Sequence, residues 1–391
     1  MSENIIVLKG QSRYNVLRIA ADYMIESFRK RGFNVLEFDL TIEGIIPEFI
    51  QTVSTTSCIL LFSFQALLFD LCLTDDKPFL NTLNFPIFGH IVDHPIYHSL
   101  RLSSIEGANI YLGCIDSSHV DYVKKYYSNI KHVTYLPHGG FNPNTIIPYN
   151  ERTIDLFFPC SYAEPNEIMN QINKLPEVYQ NMCKIIIKNM LNNPLLNLQD
   201  ALYEYLDSVH FVYENDEFTL IMDIMSVVDE YIRAYSRDNC IQCLLENNIM
   251  VTVSGNGWSK FKSEYKYNLN IIDSSGIDFT NVLDIMANSK MVLNHIATHQ
   301  NGTHERIFSS MLCGAICLTL DFPCIHNEFT DGENITLFSD SNLQALSDKV
   351  NNLLNSPIKA ESIANQGYLI ATESHTWLNN VDEILKITSI R

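Results

Sequence analysis

Short apolar runs alternate with amphipathic stretches along the first part of the chain, and this alternation leaves few possible folds. Residues 16–32 show a helical stretch, with apolar residues recurring from Val16 to Phe28 and Gly32 as a stop. The predicted strands are Ile5–Lys9, Asn34–Phe38, Cys58–Phe62, Pro86–Gly89, Ile110–Cys114 and His132–Tyr135. Strand, crossover helix and strand, repeated in this way, predict a parallel sheet covered by helices. Residues 1–137 are therefore predicted to form a Rossmann-like domain.

A second α/β pattern follows residues 138–153, a segment rich in Pro, Gly and Asn that predicts an interdomain linker. It starts with the strand Ile154–Phe158 but is interrupted at about 164–248, where apolar residues recur only at the spacing typical of helices. Further strands are predicted at Ile249–Ser254, Leu269–Ile272, Met291–Leu293, Ala315–Leu320 and Ile335–Phe338, and helices at about Phe279–Ala287, His304–Leu312 and Leu343–Leu354. The fold class is thus α/β: two Rossmann-like domains facing each other across a cleft, with a helical insertion at the start of the second.

Charge and composition exclude several classes of protein. The 391 residues include 26 Lys and Arg against 45 Asp and Glu, and a net charge of −19 argues against nucleic acid as the main partner. The most apolar stretch, 58–72, is too short and too polar to span a bilayer, and the first residues lack the pattern of a signal peptide. Most of the ten cysteines lie in apolar runs, as reduced thiols do. We expect a soluble, cytoplasmic protein without a transmembrane segment.

The strongest local signal for a binding site lies between Asn294 and Asp321. Gly302 and Thr303 stand between a strand and a helix, where unpaired N–H groups and the helix dipole favour a phosphate. Arg306 in the first turn could bind two phosphate oxygens, and Glu305 could accept the hydroxyls of a ribose. The alternative is that Glu305 only favours the helix N-terminus and that Arg306 lies on a solvated face. Taken by themselves, Glu305 and Arg306 favour this structural interpretation over a binding site.

A second signal is the segment Ser254–Trp258, directly after a predicted buried strand. Gly255 and Gly257 at the carboxyl end of a strand let the backbone come close to a ligand. The alternative is an ordinary tight turn, and a single GxG motif is weak evidence.

The first domain has its own candidates, Asp93, His94 and His98, just after a predicted strand. A His–Asp pair at a cleft can act as a general base or bind an acceptor hydroxyl. A structural Asp–His turn closed by Pro95 is an equally good interpretation. A zinc site is the least supported of the three interpretations, because the histidines lack a consistent ligand set and no HExxH occurs.

Weaker candidates are Gly10, Arg13 and Asp116 in the first domain and His138 at the start of the linker. The segment around Gly10 has neither the GxGxxG fingerprint nor the Walker Lys-Ser/Thr, so NAD-linked chemistry and P-loop NTP hydrolysis lose support. No GxSxG occurs, which removes the usual α/β-hydrolase interpretation.

Several segments together resemble a known family. The run GTHERIFSSMLCGAICLTL, the turn FTDGENITLF and the closing ANQGYLIATESHTW look like the C-terminal half of group 1 glycosyltransferases. DHPIYH, CIDSSHVDYVKKYY, YLPHGG, DLFFPCSY and SGNGW follow the order of the bacterial branch that includes spore-maturation-type proteins. The resemblance covers most of the chain except the helical insertion.

The resemblance implies a GT-B architecture. Residues 154–375 would then bind a nucleotide-sugar donor, the N-terminal domain would bind the acceptor, and a helix within 376–391 would cross back. The expected donor contacts are Gly255, Gly257, Trp258, Asn301, Gly302, Thr303, His304, Glu305 and Arg306. The expected catalytic residues are Asp93, His94 and Arg306, with Gly10, Arg13, His98, Asp116 and His138 on the acceptor side. Neither a cofactor nor a metal is expected, because a helix dipole and basic side chains would neutralise the diphosphate.

The chain departs from the family at one motif. Many members carry two glutamates eight positions apart, and the corresponding positions here are Asn301 and Ser309. Glu305, one turn before Ser309, is the expected substitute.

The expected function is glycosyl transfer from a nucleotide sugar, with a UDP-sugar favoured, to a cell-surface glycan or a protein. Because the glutamates are missing, a non-catalytic binding or assembly protein on the same scaffold is the main alternative. A sugar-nucleotide epimerase is a weaker one. The apolar stripes of the insertion fit an acceptor platform or a homo-oligomer interface.

Overall fold

The computed structural model describes residues 3–73 and 77–390, and the chain divides into two compact units. The first unit comprises Met1–Gly139 and His375–Arg391, and the second comprises Gly140–Ser374. Within the described ranges, no helix combines the length and apolarity that a bilayer span requires. The ten cysteines, all of them described, form no disulfide, and most of them are buried.

The first unit contains a parallel six-stranded sheet in the order β2-β1-β3-β4-β5-β6. Its strands are β1 (Asn4–Lys9), β2 (Asn34–Asp39), β3 (Cys58–Phe64), β4 (Ile87–Ile91), β5 (Gly107–Cys114) and β6 (Ile130–Tyr135). All six predicted strands are present. The central strands are fully buried apolar runs, as parallel strands covered on both faces must be.

The helices of the first unit are α1 (Val16–Lys30), α2 (Ile45–Thr55), α3 (Ser99–Ser104) and α4 (Ser117–Tyr126), together with the late helix α13 (Trp377–Ile387). Helix α13 begins with a capping box between Thr376 and Asn379 and packs against α1, where Asp382 pairs with Arg31. Trp377 is 1% exposed and contacts Phe64 edge-on, so α13 is part of the first unit's core.

The second unit has a parallel sheet in the order β12-β11-β10-β7-β8-β9. Its strands are β7 (Ile154–Pro159), β8 (Val251–Ser254), β9 (Leu269–Asp273), β10 (Ser289–Asn294), β11 (Ile316–Leu320) and β12 (Thr336–Phe338). Each of them was predicted within a few residues. The α/β fold class is confirmed in both units.

The predicted insertion is helical, with α5 (Pro165–Ile172), α6 (Glu177–Asn192), α7 (Leu198–Ser208) and α8 (Asn215–Glu246). Helix α8 has 32 residues, and its last turns lead into β8 as the crossover helix of the sheet. The remaining helices are α9 (Phe279–Ala287), α10 (Glu305–Leu312), α11 (Leu343–Leu354) and α12 (Pro357–Ser374). Insertion and sheet therefore share one helix: the insertion starts after the carboxyl end of β7, and its last helix leads to the amino end of β8.

Candidate functional site

The loop after β10 ends where α10 begins, as the sequence predicted. His304 is the N-cap of α10, and its Nδ1 accepts a hydrogen bond from the backbone N–H of Arg306 at 3.3 Å. Every residue of α10 is buried, so the N-terminus of this helix is held inside the unit. Thr303, 7% exposed, has a buried hydroxyl without a hydrogen-bond partner in the described part of the chain.

Arg306 does not lie on a solvated face, because it is only 8% exposed. Its Nη1 donates to Asn294 Oδ1 at 3.2 Å, at the carboxyl end of β10. Its buried Nε–H finds no partner among residues 3–73 and 77–390. A buried charged donor left in this state is costly, and an anion bound beside it would satisfy it.

Glu305 is also buried, at 6% exposure, and its carboxylate has side-chain neighbours. Ser309 Oγ donates to its Oε2 at 3.1 Å, and His304 Nδ1 lies 3.6 Å from its Oε1. Burial raises the pKa of the Glu305 carboxyl, while Arg306 and the Ser309 hydroxyl oppose that rise. The carboxylate thus reaches the side chain of Ser309, the position at which the resemblance would place a glutamate.

The sequence did not single out two further arginines, Arg233 and Arg237 on α8. Arg237 Nε donates to the carbonyl of His295 at 3.0 Å, in the loop before α10. Burial lowers the pKa of Arg237, Cys160 opposes this, and the nearby positive charges of Arg233 and Arg306 lower it further. We call Arg233, Arg237 and Arg306 the arginine cluster. Arg233 and Arg237 stand four residues apart in a segment predicted to be helical, so the sequence could have placed them on one helix face. It could not show which strand end that helix approaches.

Gly255 and Gly257 lie in the loop after β8 with φ values of +142° and +92°. A Cβ on Gly255 would stand 2.5 Å from the carbonyl oxygen of Cys160, and one on Gly257 would stand 2.2 Å from that of Tyr162. The backbone that comes close to these glycines is therefore that of the loop after β7, rather than a ligand as the sequence analysis supposed. Trp258 is 1% exposed and donates from Nε1 to the Cys160 carbonyl, so its ring belongs to the core. Direct donor contacts of these three residues stay a prediction.

Asn301 and Gly302, the other predicted donor contacts, lie in the loop that precedes α10, half-buried and buried respectively. The Gly302 carbonyl is 3.4 Å from Cys324 Sγ. Residues 301–306 are consecutive in the chain at the N-terminus of α10, and Arg237 contacts the same loop through the His295 carbonyl.

In the first unit the structure brings Asp93 and His98 together. Gln65, at φ +54°, donates from Nε2 to Asp93 Oδ2 and accepts the Val92 N–H at 3.2 Å through Oε1. Burial lowers the pKa of His98 to about 4, with Asp93 opposing and Arg101 assisting. Asp93 itself is exposed, so its carboxylate can meet a ligand.

His94 and Asp116 have structural roles in this geometry. His94, 5% exposed, caps the 3₁₀ turn Pro95–His98 by accepting the Ile96 N–H at 3.2 Å, and its ring lies 4.5 Å from that of His119. Asp116, 0% exposed, caps α4 by accepting the Ser118 N–H at 2.8 Å. The interpretation of 93–98 as a turn closed by Pro95 therefore holds for His94, while Asp93 remains available.

The other acceptor-side candidates have local contacts of their own within the first unit. A Cβ on Gly10 would meet the Leu67 side chain at 2.9 Å. Arg13 is exposed and stacks on Tyr14, with 5.6 Å from its guanidinium carbon to the ring centre. His138 is 4% exposed, with its ring 6.2 Å from that of Trp377. Among the described residues, no group of three or more His, Cys, Asp or Glu side chains could hold a metal ion.

Comparisons with known proteins fit this arrangement. Residues 237–386 match a family model described as glycosyl transferase-like. A search of the curated proteins with this sequence finds no match. The structure of BGT from T4 phage in complex with its UDP-glucose substrate is 12% identical and covers 98% of this chain and 99% of its own, with a TM-score of 0.58.

Two other solved structures are similar over their whole length. Sucrose-phosphate synthase from Thermosynechococcus elongatus is 9% identical over 99% of this chain and 98% of its own, with a TM-score of 0.56. HepE from Anabaena, in complex with UDP and glucose, is 12% identical over 99% of both chains, with a TM-score of 0.52. At these identities the similarity shows the fold, that of two-domain α/β GT-B glycosyltransferases.

The matched segment 237–386 contains Arg237, Arg306 and the whole of α10. The expected resemblance to glycosyltransferases is therefore confirmed for this part by sequence and for both units by fold. The expected class of enzyme, a glycosyltransferase, agrees with both comparisons. The spore-maturation branch stays a prediction.

Proposed function

We propose that this protein transfers a sugar from a nucleotide-sugar donor, a UDP-sugar by preference, to a glycan or protein of the bacterial cell surface, from the cytoplasmic side. The observation that carries the proposal is the buried Arg306, whose Nε–H lacks a partner in the described structure, in a segment that is glycosyl transferase-like. Two of the similar structures contain UDP with glucose or UDP-glucose, which supports uracil as the base.

The proposed chemistry follows from where charge develops. As the bond between the sugar and the diphosphate breaks, negative charge grows on the leaving diphosphate. The arginine cluster and the N-terminus of α10 would neutralise this charge without reorganising. Because fixed positive groups supply this role, we propose that transfer requires no metal. Asp93, oriented by Gln65, would accept the proton of the attacking hydroxyl or hold that hydroxyl in place.

Arg306→Met tests the donor half of the proposal. Removing one charge-assisted contact of this kind costs about 3 kcal/mol, so UDP affinity and turnover should each fall by about a hundredfold. Calorimetry with UDP, GDP and TDP measures the affinity and the preference for the base. Arg29→Met, which removes an exposed charge from α1, is the matched control and should bind UDP like the parent. If no nucleotide binds the parent protein, the proposal is wrong.

Asp93→Asn tests the acceptor half. The substitution keeps the size of the side chain but removes its capacity to accept a proton, so transfer should be lost while UDP affinity is unchanged. Mass spectrometry of the products formed with mixed nucleotide sugars and a cell-envelope extract reads out transfer. Loss of UDP binding in this variant would show that the assignment of donor and acceptor to the two units is reversed.

A non-catalytic nucleotide-binding protein is the second candidate, because Asn301 and Ser309 stand where many group 1 members carry glutamates. Such a protein would bind UDP without ever consuming a UDP-sugar. A transferase should slowly hydrolyse its donor even without an acceptor. Following release of UDP from a panel of UDP-sugars therefore separates the two functions.

A further inference from the structure

Ser309 lies in the middle of α10 and is completely buried, at the position where the resemblance would place a glutamate. Its short side chain leaves room for the carboxylate of Glu305, one turn earlier on the helix, and its hydroxyl donates to Glu305 Oε2 at 3.1 Å. The backbone N–H of Phe141, near the start of the second unit, donates to Ser309 Oγ at 3.3 Å. Because the hydroxyl accepts a hydrogen bond from this N–H, its own proton is directed to Glu305.

The segment that carries the Phe141 N–H packs directly on α10. The Phe141 ring is 1% exposed and contacts Phe279 edge-on, with the ring centres 5.0 Å apart. A Cβ on Gly140, the preceding residue, would stand 2.9 Å from the backbone carbonyl carbon of Phe308. Only a residue without a side chain fits so close to the helix, and this approach keeps the N–H within reach of Ser309.

The two oxygens of the Glu305 carboxylate have different surroundings. Oε2 accepts the Ser309 hydroxyl, whereas no hydrogen bond from the described part of the chain reaches Oε1. His304 Nδ1 lies 3.6 Å from Oε1, but this nitrogen accepts the backbone N–H of Arg306 and has no proton to donate. The Glu305 side chain is 8% exposed. One oxygen is thus anchored by the protein, and the other can accept a hydrogen bond from a ligand.

The charge of Glu305 limits which part of a nucleotide it can meet. A carboxylate repels the phosphates that the neighbouring Arg306 attracts, so the group that it accepts is a neutral hydrogen-bond donor. In a nucleoside diphosphate the ribose hydroxyls are such donors, and they lie closer to the diphosphate than the N–H groups of the base. A site with a charged acceptor for a hydroxyl rejects an analogue that lacks this hydroxyl.

We propose that Ser309 is a positioning residue, which holds Glu305 so that its Oε1 binds one ribose hydroxyl of the nucleotide-sugar donor. This inference rests on the proposed function, because it takes the diphosphate to lie beside Arg306. Ser309 itself touches Glu305 rather than the ligand. The site thereby distinguishes a ribonucleotide from its deoxy analogue, and the distinction depends on the Ser309 hydroxyl.

Calorimetry with UDP, 2′-deoxy-UDP and 3′-deoxy-UDP tests this role. In the parent protein, one of the two deoxy analogues should bind about tenfold more weakly than UDP, because Oε1 loses its donor. In Ser309→Ala this ratio of dissociation constants should fall by about fivefold, since the carboxylate is no longer anchored and can turn away. Ser310→Ala is the matched control. Ser310 is equally buried on the same helix but donates to the Ile307 carbonyl at 2.8 Å, so the parent ratio should be kept.

Two further variants separate positioning from a merely structural effect. Glu305→Ala removes the acceptor, so UDP and the deoxy analogue should bind alike, and adding Ser309→Ala to it should leave their ratio unchanged. Ser309→Cys keeps nearly the same size but donates weakly, so its ratio should lie between those of the parent and Ser309→Ala. It keeps the comparison available if Ser309→Ala does not fold. A loosened fold would weaken UDP and its analogue equally and keep the parent ratio.

Equal binding of UDP and both deoxy analogues by the parent protein would overturn this proposal and leave the proposed function intact. A parent ratio that survives in the Ser309 variants, or one that Ser310→Ala lowers as much, would overturn it as well. A parent protein that binds none of the three nucleotides would overturn the proposed function and this inference together.

Discussion

Two buried arginines of the second unit illustrate how the same type of side chain can either stabilise the fold or be available to bind a ligand. Arg152 donates to three backbone carbonyls, those of Ile147, Ser289 and Cys313, at 2.9 to 3.1 Å. Arg306 donates from Nη1 to Asn294, and its buried Nε–H has no partner in the described chain. Each of the three nitrogens of the Arg152 guanidinium therefore has a protein partner, whereas the Nε of Arg306 has none in the described chain.

This difference predicts opposite effects on stability. Arg152→Met leaves three buried carbonyls without donors and should lower the free energy of unfolding by about 3 kcal/mol or more. Arg306→Met removes a poorly satisfied buried charge, so the same free energy should stay equal or rise by about 1 kcal/mol. Urea unfolding followed by circular dichroism measures both. A large loss of stability in Arg306→Met would mean that this arginine is structural.

At the scale of elements, the loops after β7 and β8 are locked together by close backbone contact. Gly257→Ala should destabilise the protein by about 3 kcal/mol or more, because its methyl group would meet the Tyr162 carbonyl and φ is +92°. Gly332→Ala provides the matched control. It also has a positive φ, +75°, but nothing lies within 4 Å, so it should cost only about 1 kcal/mol. Equal melting temperatures for the two variants would contradict the role of the contact.

The same loops show which features of the elements the sequence could predict and which it could not. Strand positions were predictable because buried apolar runs alternate with helical periods, and the N-terminus of α10 was predictable from Gly302 and Thr303 before a helical stripe. The role of Gly257 was not, because a glycine that makes room for another loop has the same sequence signature as one that makes room for a ligand. Arg237 was missed for a related reason, since only tertiary packing brings α8 to the end of β10.

For the whole molecule, buried histidines predict how stability depends on pH. His90 is 0% exposed, and burial lowers its pKa to about 4, against the opposing effect of its bond to the Leu136 carbonyl. Between its ordinary pKa of 6.5 and about 4, the unfolded chain therefore binds a proton that the folded chain does not. The free energy of unfolding should thus fall by about 3 kcal/mol as the pH drops through that window, and His98 adds an effect of the same sign.

His90→Asn should flatten this dependence. Urea unfolding at several pH values, followed by tryptophan fluorescence, provides the measurement, since Trp377 reports on the first unit. His132→Asn, the same substitution at an exposed position of the same sheet, is the control and should keep the steep dependence. If the free energy of unfolding of His90→Asn still depends on pH as steeply as that of the parent protein, His90 is not the source of the acid sensitivity.

The cysteines have a practical consequence for handling this protein. Buried thiols such as Cys114 and Cys313 have pKa values raised by burial, so they stay protonated and inert while the chain is folded. Once heat or urea opens the chain, ten sulfhydryls become accessible to air and to one another. Mispaired crosslinks would then trap the opened chain, and recovery of native material should depend on a reductant being present throughout.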